Sequence, residues 1–343
     1  MQEGSLLSDD GEITGGYSDH ELLHYNRENI RSNPMRIKEW DWYQISDSTG
    51  RYIIQFTYGH ASYIGQIGAT MFDTKERRYL FRKSHLIPMV MDRMKMPATG
   101  EGDSHIFWQN AMRTILVDFK TEDHCRELTF TFDGFQAHFT LSPLQSGEIV
   151  IGIPFDEDPK AFYYNEKYNC YQADGVVTFT DPETHQRVTI SFGPRPGDLK
   201  GYGLLDWGRG VWPWSTEWYW SNGTGMAEGK IFGFNLGCGF GNTQAATENV
   251  LFYEGKTHKL GKVTISHDSK DYMKPWSLVE ENGRCNLTMS PQYDRMTRDR
   301  FLWVNNHCHQ VFGLFNGSVI LDDGRELVID NLPAFAEHAV NHW

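Results

Sequence analysis

The link Asp133-Gly134 most narrows what this chain can fold into. It joins Leu128-Thr-Phe-Thr-Phe132 to Phe135-Gln-Ala-His-Phe139, two runs in which apolar residues take every second place. Alternation with a period of two marks a strand with one buried face, and a two-residue Asp-Gly link suits the mirror-image turn that closes neighbouring strands into a hairpin. A second hairpin is expected around Asp323-Gly324, between Gly317-Ser-Val-Ile-Leu321 and Glu326-Leu-Val-Ile-Asp330. Further strand-like runs, rich in aromatic and β-branched residues, occupy 51–58, 61–73, 106–119, 127–132, 176–180 and 187–192. Aromatic residues make up 14% of the chain and glycine supplies 33 positions, which suits twisted strands and tight turns rather than packed helices. The fold class is therefore all-β.

At 343 residues the chain is long for a single core, so two β domains are expected. The stretch Gly152 to Lys160, with Pro154, Pro159 and three acids at 156–158, reads as the linker between them. That divides the chain into a polar, flexible tail at 1–20, a first domain at 21–155 and a second at 156–343. Asn26 to Pro34 reads as an irregular or short helical lead-in. Leu86 to Gly102 carries four methionines and the pair Met96-Pro97. It reads either as a loop that crosses a barrel mouth or as a surface loop.

The formal charge of −13, from 32 basic and 45 acidic residues, argues against nucleic acid and anionic membrane surfaces as partners. No run reaches the roughly 18–20 apolar residues of a membrane-spanning helix. Met1 to Gly16 is polar and acidic and lacks the features of a secretory signal, so the expected location is the cytoplasm. Cys125, Cys170, Cys238, Cys285 and Cys308 stand singly, which implies free thiols rather than disulfides or a zinc knuckle. His307-Cys308-His309 places two histidines on one face of a strand, but no third ligand stands at a suitable spacing, so no metal is expected.

The densest chemistry lies between residues 201 and 249. Trp207, Trp212, Trp214, Trp218 and Trp220 are five indoles within fourteen residues. Residues two apart share a strand face, so Trp212 with Trp214, and Trp218 with Trp220, can each line a wall of a cavity or pack as core. Asp206 and Arg209 are charges set among these rings. Burial would raise the Asp206 pKa and suit it to general acid catalysis, whereas a nearby arginine would lower it and make a structural ion pair. Glu248 and His60 are the candidates for a second proton-moving group, with Asn235, Asn242 and Asn249 as polar contacts to a ligand. From Gly233 to Gly241 the odd positions are glycine except for Asn235, a bare face that either a ligand or a crossing strand approaches closely.

Several motifs carry a resemblance: Lys38-Glu-Trp-Asp-Trp42, Leu205-Asp-Trp-Gly-Arg-Gly210, Trp218-Tyr-Trp220, Gly233-Phe-Asn-Leu-Gly237, Thr247-Glu-Asn249 and the ending Ala336-Glu337 to Trp343. On these the chain resembles the bacterial DUF2804 family across residues 20–343. That family is in turn distantly similar to the carotenoid 1,2-hydratase and fungal Diels-Alderase group. The resemblance implies two tandem lipocalin-like β-barrels or strongly bent sheets, and it implies Asp206 as the group that protonates a double bond. Two functions follow as expectations. One is a cofactor-free lyase, hydratase or isomerase acting on an apolar or glycan-like substrate. The other is a non-catalytic binder of a lipid, isoprenoid or glycan.

Overall fold

A computed structural model describes residues 1–244, 246–301 and 304–342. Its strands in chain order are β1 Gly4–Ser5, β2 Gly16–Ser18, β3 Leu23–His24, β4 Ile37–Asp47, β5 Tyr52–His60, β6 Ile64–Asp73, β7 Arg78–Pro88 and β8 Ser104–Asn110. There follow β9 Ile115–Glu122, β10 Cys125–Phe132, β11 Phe135–Pro143, β12 Glu148–Phe155, β13 Asp158–Thr180, β14 Arg187–Phe192, β15 Gly201–Val211 and β16 Ser215–Ala227. The chain ends with β17 Lys230–Cys238, β18 Val250–Tyr253, β19 Lys256–Lys259, β20 Val263–Ser266, β21 Trp276–Glu280, β22 Cys285–Phe301, β23 Val304–Ile320 and β24 Glu326–His342. Short 3₁₀ turns at Arg27–Asn29 and Pro34–Arg36 form the lead-in. No helix among the described residues is long and apolar enough to cross a membrane.

These strands form two large antiparallel sheets. The first runs β7-β6-β5-β4-β15-β13-β11-β10-β9-β8, with β12 and β14 on the long β13 and β2 on β12. The second runs β19-β18-β17-β16-β24-β23-β22-β21-β20. Each sheet bends back on itself, because its core requires it. Phe56 of β5 stacks on Phe130 of β10 at 5.1 Å, and Phe81 of the edge strand β7 stacks on Phe135 of β11 at 4.5 Å, although other strands lie between these pairs in the sheet. Phe234 of β17 meets Phe315 of β23 at 5.4 Å in the same manner. A flat sheet would leave these rings in water; a bent one buries them on its concave side. The all-β class and the two strongly bent sheets expected from the sequence are what the structure shows.

Both Asp-Gly hairpins form. Phe132 pairs with Phe135, and Asp133 and Gly134 take φ of +45° and +86°, the positive values that a mirror-image turn needs. Val319 pairs with Leu327 across a longer link. The run 106–119 is a hairpin rather than one strand: a 3₁₀ turn at Ala111–Arg113 separates β8 from β9.

The division of the chain differs from the sequence-based boundaries. Residues 152–160 are not a linker but the tight turn between β12 and β13, where Phe155 pairs with Asp158. β13 and β15 both lie within the first sheet, and the chain passes to the second only between Val211 and Ser215. The Pro-rich, acidic composition of 152–160 signals a turn, and a turn looks the same whether it joins domains or strands. The first residues are likewise no separate tail: Leu6 and Leu7 are buried, and β2 adds to β12.

The methionine-rich loop crosses one end of the first sheet. Tyr58 donates to the Met94 carbonyl at 2.9 Å, Arg126 to the Gly100 carbonyl at 2.6 Å and Arg209 to the Pro97 carbonyl at 2.8 Å. Its backbone is thus fastened from inside the barrel. Arg209 is fully buried and pairs with Asp41 at 2.9 Å. Removing one partner of such a pair strands a charge in the interior. Arg209→Met is therefore expected to lower stability by about 3–5 kcal/mol, and adding Asp41→Leu should restore part of the loss. Urea unfolding of the two variants measures both effects; a change below about 1 kcal/mol would contradict the structural role.

Candidate active site between the two sheets

Every residue of β15 is buried. Its odd members face the concave side of the first sheet, where Trp207 meets Tyr25, Tyr164 and the Arg209 guanidinium, the last at 3.9 Å. Its even members face the second sheet. Asp206 and Arg209 are three apart, so they point to opposite sides and make no pair. This corrects the expectation that they share a site.

On the Asp206 side the two sheets enclose a cavity of about 250 Å³. The first sheet contributes Trp40, Trp42, Thr57, Tyr163, Lys167, Asp206 and Trp212. The second contributes Trp218, Trp220, Phe240, Arg295, Asn306, Cys308, Gln310, Glu337, Ala339 and Asn341. The indoles meet edge to face or tilted: Trp40 with Trp212 at 5.7 Å, Trp212 with Trp218 at 5.8 Å and Trp42 with Trp220 at 5.6 Å. Aromatic edges against faces are the favourable arrangement.

Charge enters this aromatic chamber from four strands, β13, β15, β22 and β24. Lys167 of β13 approaches the Asp206 carboxylate at 2.8 Å and Glu248 at 3.6 Å, and its ammonium lies 4.6 Å from the Trp220 ring. Asn165 donates to the same Asp206 oxygen at 2.7 Å. Asp206 therefore has the ion-pair partner that the sequence allowed for, but it is Lys167. Glu337 of β24 accepts from the Trp218 indole at 2.9 Å and from Gln310 at 3.1 Å. Burial raises the Glu337 pKa, while Trp218 and Arg295 oppose the rise and Asp206 adds to it. Burial also raises Glu248, against the pull of Lys167. Two carboxyls in different settings thus share one chamber: Asp206, ion-paired with Lys167, and Glu337, whose pKa burial raises.

The other candidates fall into place around this. Trp212, Trp218 and Trp220 line the cavity, and Trp218 and Trp220 share one face as expected. Trp214 does not: the strand ends at Val211, alternation lapses at Pro213, and Trp214 is half exposed. Trp207 packs inside the first barrel. Asn235 stands behind the wall, accepting from the Trp220 indole at 2.8 Å and donating to the Glu248 carbonyl at 3.0 Å. Asn249 accepts from the Gly237 amide at 2.7 Å, and Asn242 ties its loop to Asp156 at 2.8 Å; neither faces the cavity. His60 lies apart, 2.9 Å from Glu39. Burial would raise the Glu39 pKa, yet His60, Arg209 and Arg27 together hold it at about 2. That group is a buried charge network, not part of the chamber.

The glycine face of β17 answers to a crossing strand. A Cβ on Gly233 would lie 2.6 Å from the Cys170 sulfur of β13, and one on Gly237 would lie 2.3 Å from a Glu248 oxygen. His307 and His309 do share a face, with Nε2 atoms 3.2 Å apart and Asp294 2.7 Å from His309 Nδ1, whereas Cys308 turns to the cavity. No group of three or more such side chains among the described residues is arranged to hold a metal. The five cysteines form no disulfide.

Lys167, Glu337, Trp40 and Trp42 were missed as site residues. Trp40, Trp42 and Glu337 stand in the motifs Lys38–Trp42 and Ala336–Trp343, so their type was visible but not their convergence. Lys167 had no such signal.

Compared with known proteins, the chain matches the DUF2804 family, described as "Domain of unknown function", over residues 1–343. It belongs to that family. No curated protein matches it in sequence. Among solved structures it is similar to CghA, at 11% identity and a TM-score of 0.55, covering 99% of this chain and 97% of that one. The structure of CghA with Sch210972 is similar at 11% identity and a TM-score of 0.57, with the same coverage. Kievitone hydratase from Nectria haematococca is similar at 10% identity and a TM-score of 0.50, covering 99% and 98%. At these identities the likeness is one of fold, and it bears out the distant similarity to the hydratase group that the motifs implied.

Close packing of the Trp40 wall depends on Gly208, where an added Cβ would lie 2.2 Å from Trp40 Cζ2. Gly208→Ala is expected to displace that indole at a cost of about 1–3 kcal/mol. A lowered melting temperature with shifted tryptophan emission checks this; unchanged values for both would contradict the assigned packing.

Proposed function

We propose that the protein is a cofactor-free enzyme of the hydratase, lyase or isomerase kind, which adds or removes a proton at an apolar substrate held in the inter-sheet chamber. The observation that carries this reading is the pairing of a proton-biased Glu337 with an ion-paired Asp206 inside a cavity walled by indoles. A carboxyl whose pKa is raised by burial is suited to give up a proton as a general acid. The acid role assigned to Asp206 from the sequence passes to Glu337, because the Asp206 carboxyl is engaged by Lys167 and Asn165 whereas burial raises the Glu337 pKa.

In the hydration direction Glu337 gives its proton to one alkene carbon, and the π electrons form the new C–H bond. The cation left on the neighbouring carbon faces the tryptophan rings, whose negative faces favour it. Water bonds to that carbon through oxygen and gives up a proton to Asp206, which releases it to solvent while solvent returns one to Glu337. The net change is one water added across the double bond; the reverse order eliminates it, and loss of a proton from an adjacent carbon moves the double bond. The fold relative named a hydratase and the CghA structure holding Sch210972 support a small organic ligand.

Incubation with kievitone and geraniol in D₂O, read by mass spectrometry, tests this. The wild-type protein should introduce deuterium, and Glu337→Gln should slow the reaction by about 10²-fold or more while leaving fluorescence-detected binding intact. The rate should fall as pH rises through the raised Glu337 pKa, because only the protonated carboxyl donates. Binding without deuterium uptake would favour the carrier reading, and full activity in Glu337→Gln would remove this residue from the mechanism.

A further inference from the structure

Of the two cations lining the chamber, only one has an ion-pair partner among the described residues. Lys167 is matched by Asp206 and Glu248. Arg295 of β22 is not: it reaches the cavity half-buried and donates through one terminal nitrogen to Gln310 at 3.0 Å. Its Nε is buried with no hydrogen-bond partner, and no carboxylate among the described residues lies within 4.0 Å of it. A guanidinium has five donors in a fixed fork and is costly to enclose with donors unused. Farther along the same cavity the carboxamide oxygens of Asn306 and Asn341 also lack partners, and Asn341 is almost fully buried. A carboxamide turned by half a revolution exchanges oxygen for NH₂, so each can accept from a hydroxyl or donate to a carboxylate.

We infer that the chamber takes an amphipathic organic anion, its carboxylate paired with Arg295, its apolar body against Trp40, Trp212 and Trp218, with Asn306 and Asn341 farther along the chamber as polar contacts. The planar fork of an arginine matches a carboxylate in two parallel hydrogen bonds. The low dielectric of an indole-walled space strengthens that pairing. The anion also acts on the proposed acid. Arg295 pulls the Glu337 pKa down, and Gln310 bridges the two at 3.0 and 3.1 Å. A carboxylate on Arg295 cancels that pull, so binding of the substrate itself favours the protonated Glu337. The inference rests on the chamber being the ligand site assigned above, and not on turnover.

The test is quenching of tryptophan fluorescence by geranic acid and by geraniol, which share a hydrocarbon body and differ in the head, at pH 8. Geranic acid should bind at least about tenfold more tightly, the scale expected of a charge-assisted pair. Arg295→Met should erase the preference while leaving geraniol affinity unchanged, and Arg295→Lys should retain part of it. Equal affinities in the wild-type protein, or an acid preference that survives Arg295→Met in a variant with wild-type circular dichroism, would overturn the anion assignment alone. Failure of both compounds to quench would overturn it together with the chamber as a binding site. A preference for the acid in which Glu337→Gln still turns over substrate would leave this inference standing and remove the acid role.

Discussion

β15 has no solvent face, and this condition governs the rest of the molecule. One side of the strand closes the first barrel; the other is the floor on which the second sheet rests. A strand buried on both sides has nowhere to leave a charge unpaired. Each ionised side chain it carries is accordingly answered: Arg209 by Asp41 and backbone carbonyls, Asp206 by Lys167 and Asn165. Its glycines are part of the same condition, since Gly208 and Gly210 give room to the Trp40 ring and to the Phe162 carbonyl.

Much of the fold could be read directly from the chain. The Asp133-Gly134 hairpin follows from local turn chemistry and strict alternation, which need no knowledge of distant residues. The pairing of Trp218 with Trp220 on one wall follows from the same period of two. The domain boundary could not be read in this way: β13 looks like the start of a new unit at residue 158, yet it returns to pair with β11, β12, β14 and β15. The pairings with β11 and β15 join residues far apart in sequence and leave no local trace. The rule that places Trp218 beside Trp220 misplaces Trp214, because Val211 ends the strand that the alternation presumes.

The site was half legible for a related reason. Asp206 was recognisable as a carboxyl among indoles, but its partner came from another strand. Arg209 was the nearest cation in sequence and the wrong one in space, because three residues along a strand reverse the face. Lys167 sits opposite Asp206 in the antiparallel register, and only that register makes them neighbours. Glu337 reached the chamber across the β16–β24 pairing, directly opposite Trp220. A chamber carboxyl at position 337 becomes visible once the final strand is known to lie beside the strand that opens the second sheet.

A row of amides ties the two sheets together. Gln55 of the first sheet donates to Gln44 at 2.9 Å and to Gln310 of the second at 2.8 Å, and Gln310 continues to Glu337. The carboxyl itself is held by Trp218 and Gln310 of the second sheet, and through Gln310 its aim is linked to Gln55 of the first. A small slide of one sheet over the other would be felt first at that oxygen, before any ring in the chamber lost its neighbour.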